Sequence, residues 1–370
     1  LTAALRTAQV SLREKRLLEF DPRAVTAVTL NAPNQPALTL QRLDAGATAA
    51  DATWQIVRRG DAASGPETLP ADRASVQRLL EQLTLLSAKD PAGFVSDAPA
   101  NADLENWGFN RPERELTLTF GTAPVASAPS QTPNPKSPAN SPPSAPATPP
   151  AAPVASANTP APTTTLQLGT DTAGALYARI DPVTNPRGSV YAVALDYRRE
   201  LPVTPRDWRE RQLPALPPTA TITALTLSST AENAAPLYTH KLAAGETWVT
   251  VLTAEPAAKK PALEALLAQM RAPRAKRFVQ EKFTDRVTVA GDDRPWSFKL
   301  EATVALPGGT GGEQTSTRTL LFTERVGGAQ QLAGSKEFDA VFEIEQPLLD
   351  ALWTFTYGPR DPGPAPEPKK

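Results

Sequence analysis

No cysteine occurs among the 370 residues, and histidine and methionine occur once each. Without cysteine there are no disulfides, no thiol nucleophile and no zinc–thiolate site. The lone histidine, His240, comes with no nucleophile or ligand set that the sequence identifies, so it reads as a structural or surface residue. No apolar run approaches the roughly 20 residues that cross a bilayer, and no secretory signal pattern is present. Charge of one sign is also lacking: 38 basic residues face 39 acidic ones. That balance gives no field to gather nucleic acid or an anionic membrane, and nucleic acid is excluded as a partner.

What the chain has in excess is proline, 40 residues, about twice the usual share of roughly 5%. Many of them fall between Thr122 and Thr165, a tract built from Pro, Ala, Ser and Thr with a few Asn. Such a tract buries too little apolar surface to offset its ordering entropy, so disorder or polyproline-like structure is expected over 122–165. The same expectation holds for the tail, 359–370.

Outside the tract the chain writes one pattern twice. Val25-Thr26-Ala27-Val28-Thr29-Leu30 corresponds to Ile222-Thr223-Ala224-Leu225-Thr226-Leu227. Pro36–Gly46 corresponds to Ala235–Gly245, and Thr53-Trp54 to Thr247-Trp248. Alternation and β-branching between Gly, Asn and Asp breaks predict a three-stranded antiparallel meander in each half. A helix follows in both. Pro70 and Asp72 suit the start of the first, and Val76, Leu79, Leu80, Leu83 and Leu86 form its apolar stripe. Leu263, Leu266, Leu267 and Met270 repeat the stripe. Phe94-Val95 then answers to Phe278-Val279.

The corner WGFNRPERELTLTF, Trp107 to Phe120, is echoed by DDRPWSFKLEATV, Asp292 to Val304. Leu116, Leu118 and Phe120 point to one strand face, as do Leu300, Ala302 and Val304. Proline is harmless at the first residue of a strand, so the corner reads as a strand-entry device used once per half. Each half closes with a hairpin, 176–180 with 190–195 and 319–322 with 340–344. The offset drifts from 197 residues (25 against 222) to 184 (116 against 300), as loop insertions would cause. In the second half the place of the proline-rich tract holds only PGGTGGEQTS. The tract therefore lengthens a hairpin loop of the first half, which costs little because closure entropy grows logarithmically.

The expected fold class is α+β, two tandem repeats, each an antiparallel sheet with a helix packed on one face. The expected organisation is a helical segment over 1–20, repeat one over 21–206, a connector over 207–220 and repeat two over 221–358. The opening segment reads either as a juxtamembrane stalk or as a helix packed on the first repeat. The repeats are expected to pack side by side or about a pseudo-twofold, through the connector and its Trp208.

Several pieces taken in order, FDPRAVTAVTL, Trp54, LPADRASVQRLLEQL, Phe94-Val95, ENWGFNRP, YARI and SVYAV, resemble the bacterial family called domain of unknown function 4340. The family's Tyr-Gly-Leu corner is here Trp107-Gly108-Phe109, and the long insertion is a further departure. The resemblance spans 20–213 strongly, with the second half as a diverged copy. It implies a periplasmic protein held to the inner membrane by an N-terminal anchor that would precede Leu1. Its implied partners are envelope or membrane proteins, among them subunits of ABC-type transport systems linked to gliding. It brings no catalytic residues and no cofactor.

The residues themselves point the same way. Asp292-Asp293 reads as turn chemistry rather than an acid–base pair. Glu343 and Glu345 read as the solvated face of a strand. The glycines of 307–313 lack the Lys-Ser/Thr of a phosphate loop. No catalytic, cofactor or metal residue is assigned. Trp54, Trp248 and Trp296 read as core and Trp107 as a packing plug. Trp208 and Trp353 remain as candidates for an interface or for ligand stacking. The run Arg271, Arg274, Lys276 and Arg277 reads either as a solvated face near a helix C-terminus or as a surface for an acidic partner. The expected function is a non-enzymatic, membrane-tethered adaptor. The alternatives are a glycan- or peptide-binding module using exposed aromatics between the repeats, and a hydrolase built on carboxylates or Ser/Lys.

Overall fold

Val25 and Val28 cannot share a face under strict alternation, yet both are fully buried. A register shift between Val25 and Ala27 resolves the conflict: the ladder to the neighbouring strand slips by one residue there, as a β-bulge allows. Thr26 stabilises the slip by donating its Oγ1 to the Thr119 carbonyl at 3.1 Å. The second half does the same. Its register shifts between Ile222 and Ala224, and Thr223 Oγ1 donates to the Thr303 carbonyl at 3.3 Å.

The structure, a computed structural model, describes residues 14–44, 52–58, 67–89, 93–121, 161–180, 188–289, 291–307, 314–326 and 330–358. They fall into two units, the first within Leu1–Thr68 and Arg73–Val203, the second within Leu69–Asp72 and Thr204–Lys370. The fold is α+β with two antiparallel sheets.

The first unit contains β1 (Val25–Asn31), β2 (Leu38–Arg42), β3 (Trp54–Arg58), the start of β4 (Glu67–Pro70), α1 (Arg73–Leu85), β5 (Phe94–Ser96), α2 (Asn101–Asn106), β6 (Arg114–Phe120), β7 (Thr163–Thr170), β8 (Leu176–Ile180), β9 (Val190–Ala192) and α3 (Tyr197–Glu200). Its sheet runs β4-β3-β2-β1-β6-β7-β8-β9-β5. Leu30, Leu40, Ile56, Leu116, Leu118, Leu166 and Leu168 are buried from alternate positions of these strands, as are Val76, Leu79, Leu80 and Leu83 from α1. Each such side chain is worth about 1.5–3 kcal/mol of transfer free energy.

The corner after α2 depends on glycine twice. Gly108 takes φ +78°, the left-handed geometry that ends a helix, and an added Cβ at Gly169 would stand 2.3 Å from the Trp107 carbonyl. The bare backbone of β7 thus lets the corner lie on it. Trp107 leans on Tyr177 with centroids 5.9 Å apart.

The second unit contains α4 (Pro205–Trp208), β10 (Thr221–Ser229), β11 (Tyr238–Lys241), α5 (Trp248–Ala254), α6 (Lys260–Arg271), β12 (Arg277–Gln280), β13 (Arg286–Val289), β14 (Asp292–Leu306), β15 (Gln314–Thr323), β16 (Leu332–Ser335), β17 (Ala340–Glu343) and α7 (Gln346–Tyr357). Its sheet runs β11-β10-β14-β15-β16-β17-β12, with β13 paired to β14. One sheet face packs on α5, α6 and α7 around Leu227, Leu266, Met270, Leu300, Phe322, Phe342 and Leu352. The other face carries a small core of Val287, Trp296, Leu332 and Val341.

Three expectations are corrected. The third meander strand exists in the first unit as β3, but in the second Thr247-Trp248 starts α5 instead. Thr247 caps that helix, its side chain accepting from the Thr250 N–H while Thr250 Oγ1 accepts from the Thr247 N–H. Arg294-Pro295 is not a strand entry: it lies inside the 15-residue β14, opposite Val287 and Arg286 of β13. The entry role belongs to the first unit alone, where Pro112 precedes β6. The expected N-terminal helix does not extend through residues 14–20; Leu17 and Leu18 are buried there, and the Leu17 N–H donates to the Leu86 carbonyl at 3.0 Å. Residues 1–13 lie outside the described residues.

The connector is part of the second unit. The Leu213 N–H donates to the Pro273 carbonyl at 2.8 Å and the Leu216 N–H to the Arg271 carbonyl at 2.7 Å. The proline-rich tract lies outside the described residues over 122–160, as does the tail 359–370. Its flanks are paired with each other, Thr119 opposite Thr163 in the β6–β7 ladder. The upper bound of 165 is therefore three residues too far, because β7 already begins at Thr163.

Candidate functional site

The basic run after α6 is mostly spoken for inside its own unit. Lys276 Nζ donates to one Glu343 carboxylate oxygen at 2.6 Å and Arg277 Nε to the other at 2.6 Å. Gln330 Nε2 adds a bond at 3.2 Å. Glu343 is 4% exposed, which corrects its reading as a solvated residue. Burial pushes its carboxyl upward, and the Lys276 and Arg277 bonds outweigh that, holding it below the ordinary glutamate range. Arg274 pairs with Glu345 at 3.1 Å. Arg271 closes α6 and donates to the Ala220 carbonyl at 3.3 Å. These four residues therefore fasten β12, β17 and the connector.

Trp208 is 3% exposed in the chain, and its carbonyl accepts the Asp72 N–H at 2.7 Å. Its ring is covered rather than open for a ligand to stack on. Trp353 is half-buried on α7. It sits 4.6 Å from the Tyr357 ring and 4.8 Å under the Arg325 guanidinium, and Tyr357 is 59% exposed. The sequence carried no signal for Arg325, which is brought to Trp353 only by the sheet's return after β15.

The remaining sequence candidates engage neighbouring side chains or backbone groups. His240 Nε2 lies 3.2 Å from Glu246, whose carboxylate also accepts the Ala243 N–H at 2.8 Å. The Ala243 bond, then His240, holds that carboxyl below its usual range. Asp292 and Asp293 sit in β14, not in a turn, paired with Arg294 and Arg286 respectively. Trp54 is core at 5% exposure. Trp248 is partly buried and donates its ring N–H to the Ile222 carbonyl at 2.7 Å. Trp296 stacks on Phe283 at 5.7 Å. The glycine loop at 308–313 lies outside the described residues. Among the described residues no group of three or more metal-ligating side chains comes together, and no helix is long and apolar enough to cross a membrane.

Two recesses stand out, one in each unit. In the first unit a cavity of about 350 Å³ opens between α1 and the sheet, floored by Trp54 and Leu80 and rimmed by Arg23, Arg42 and Arg73. Arg42 donates across it to the Arg23 carbonyl at 2.7 Å. In the second unit a groove of about 510 Å³ runs beside β15, lined by Leu216, Val304, Arg318, Lys299, Lys336 and Glu337 among others. The Arg318 guanidinium is 6% exposed and bonds to the Met270 carbonyl at 3.1 Å and to Glu337 at 2.8 Å.

The family described as Domain of unknown function (DUF4340) matches residues 54–295 as one span, from β3 to the opening of β14. No curated protein and no solved structure matches the chain.

Proposed function

The chain belongs to the family described as Domain of unknown function (DUF4340), and from that premise we propose a non-enzymatic periplasmic adaptor, tethered to the inner membrane and built from two copies of one unit. One observation carries the two-copy part. The strand order β2-β1-β6-β7-β8-β9-β5 recurs as β11-β10-β14-β15-β16-β17-β12. The bulge recurs with it, and so does a cross-strand hydroxyl pair, Thr29 with Thr39 at 3.2 Å and Thr226 with Thr239 at 3.1 Å. Two sheets with separate cores make a scaffold that presents surfaces. The polar groups a reaction would recruit are engaged in fastening: Glu343 holds Lys276 and Arg277, and His240 holds Glu246.

In this reading an N-terminal anchor holds the protein to the membrane, and its partners are envelope proteins, with ABC-type transporter subunits first among them. The test is capture of the full-length, anchored protein from crosslinked membranes, followed by identification of co-purifying chains. Envelope or transporter subunits are expected. Recovery of none discards the adaptor reading.

A second reading is favoured by Trp353, Tyr357 and Arg325, whose partly exposed rings and guanidinium suit a sugar face or a peptide. Titration with oligosaccharides and short peptides would quench tryptophan emission in the wild type and not in Trp353→Ala. Equal responses from the two proteins would remove this reading.

A further inference from the structure

The two sheets share an order of seven strands but differ in how far one pair of neighbours runs together. In the first unit β8 pairs with β7 at five consecutive positions, Leu166 to Thr170. In the second, β16 meets β15 only at Leu321 and Phe322. The ten-residue β15 is paired with β14 along its length, from Gln314 to Thr323. Among the described residues, no strand pairs with Gln314–Thr319 on the side away from β14.

The direction of the backbone groups follows from two bonds. The Thr323 carbonyl accepts Gln331 Nε2 at 2.7 Å, and the Thr319 carbonyl accepts Ser335 Oγ at 3.4 Å. Both oxygens face away from β14. Because strand residues alternate in direction, Thr317 and Thr315 also turn their N–H and C=O outward. Gln314 to Thr317 are exposed and carry neither charge nor proline, the devices that usually protect an edge.

The groove of about 510 Å³ lies along this edge. Its two walls differ. Leu216 packs with the helix-side core, so it stands on that side of β15. Lys299 lies opposite Leu321, and Lys336 reaches over Phe283 at 5.4 Å, which places both on the other side. The lining holds three cations, Lys299, Arg318 and Lys336, against one acid, Glu337. Both lysines already meet an acid outside the lining: Lys299 pairs with Glu301 at 2.9 Å, the side chains 39% and 34% exposed, and Lys336 with Asp285 at 3.4 Å, 73% and 87% exposed; surface pairs of this kind contribute little and exchange for another carboxylate.

We propose that the open edge of β15 takes an extended partner segment as an added strand, one that alternates acidic with small apolar residues. Its backbone bonds to Thr315 and Thr317, its apolar side chains face Leu216, and its carboxylates face Lys299 and Lys336. A second copy of this chain is disfavoured as occupant, since it would bring the same lysines against themselves. The proposal deepens the adaptor reading by assigning it a surface. It takes from that reading only the partner's setting, so binding by the purified protein and capture from membranes fail separately.

The experiment measures fluorescence anisotropy of a labelled nine-residue peptide alternating Glu and Val, beside the same peptide with Lys for Glu, on the whole chain. The Glu peptide should bind at least tenfold tighter than the Lys peptide. Thr317→Pro removes an outward N–H while leaving the ladder to β14 intact, and should weaken binding at least tenfold with the circular dichroism unchanged. Lys336→Glu keeps every backbone group and should weaken the Glu peptide at least threefold, which carries the test if the proline variant does not fold. Equal binding of both peptides, binding of neither, or a folded Thr317→Pro with full affinity would overturn the proposal. Loss on Lys336→Glu with full retention on Thr317→Pro would show a charge contact without strand addition, and overturns it too.

Discussion

Arg277 Nε donates to the Glu343 carboxylate at 2.6 Å although the two residues are 66 positions apart and the glutamate is almost wholly covered. With Lys276 on the other oxygen, this pair ties edge strand β12 to β17. Truncating Glu343 to Ala leaves two cations without their acceptor at the sheet edge. Both cations are more than half exposed and recover water, so the expected cost is about 1–3 kcal/mol. A lower urea midpoint with an unchanged slope would show it.

The same carboxyl sets a pH dependence. Its folded pKa is depressed, so its contribution is present above the unfolded glutamate value of about 4.3 and is lost as pH falls through the folded value. Stability should therefore drop with acid below about pH 5. Glu343→Gln should be less stable at neutral pH and show a shallower acid limb in urea midpoints taken from pH 7 to 3.

Tyr238 makes the opposite kind of prediction. Its hydroxyl is buried with no hydrogen-bond partner among the described residues. Burial first, then Glu255 and Glu246, push its pKa up to about 12. The folded value exceeds the unfolded one near 10, so the tyrosine's contribution holds below pH 10 and fades as pH rises toward 12. Tyr177 is also pushed up, by burial and Asp171, so ultraviolet titration of Tyr238→Phe should lose the latest phenol and keep the others. Since that change removes an unsatisfied polar group, the variant should match or exceed the wild-type midpoint at pH 7.

Gly334 marks the second core. An added Cβ would stand 2.5 Å from two atoms of the Trp296 ring and 3.0 Å from Phe283. The stacked rings cannot both yield, so Gly334→Ala should cost about 1–3 kcal/mol and shift tryptophan emission. Gly169→Ala should cost more, because the atom it meets at 2.3 Å is the Trp107 backbone carbonyl. Thermal unfolding of both variants would rank them.

Replacing 122–160 by a short turn should leave the first unit's stability nearly unchanged. Thr119 and Thr163 already pair, and the Phe120 N–H donates to the Pro162 carbonyl at 2.9 Å. Shortening the closed loop changes the closure entropy by only about 1–2 kcal/mol. A thermal midpoint raised by a few degrees or left in place is expected; a collapse of the midpoint would show that the tract contributes to the fold.

The strand faces were legible because burial in a sheet imposes a period of two, and Leu116, Leu118, Leu300 and Ala302 obey it. The helix stripes were legible for the same reason with a period near 3.6: Val76, Leu79 and Leu80, like Leu263 and Leu266, are all buried. Trp248 was misread because a threonine before it can end a strand or cap a helix, and the residues it packs against decide which. Glu343 was misread because alternation places it outward, whereas Lys276, Arg277 and Gln330 arrive from elsewhere to cover it. Trp208 lay in a stretch with no periodicity at all, so nothing local marked it as covered.

The sequence by itself determined most strand faces, the two helix stripes and the place where the proline-rich tract interrupts a hairpin, since each of these follows from local periodicity and turn chemistry. Only the tertiary structure decided which charges are internal fastenings and which edge stays open. Partners such as Glu343 and Arg277, or Ser335 and Thr319, meet through the sheet's return, and a one-dimensional pattern carries no record of how far a returning strand reaches.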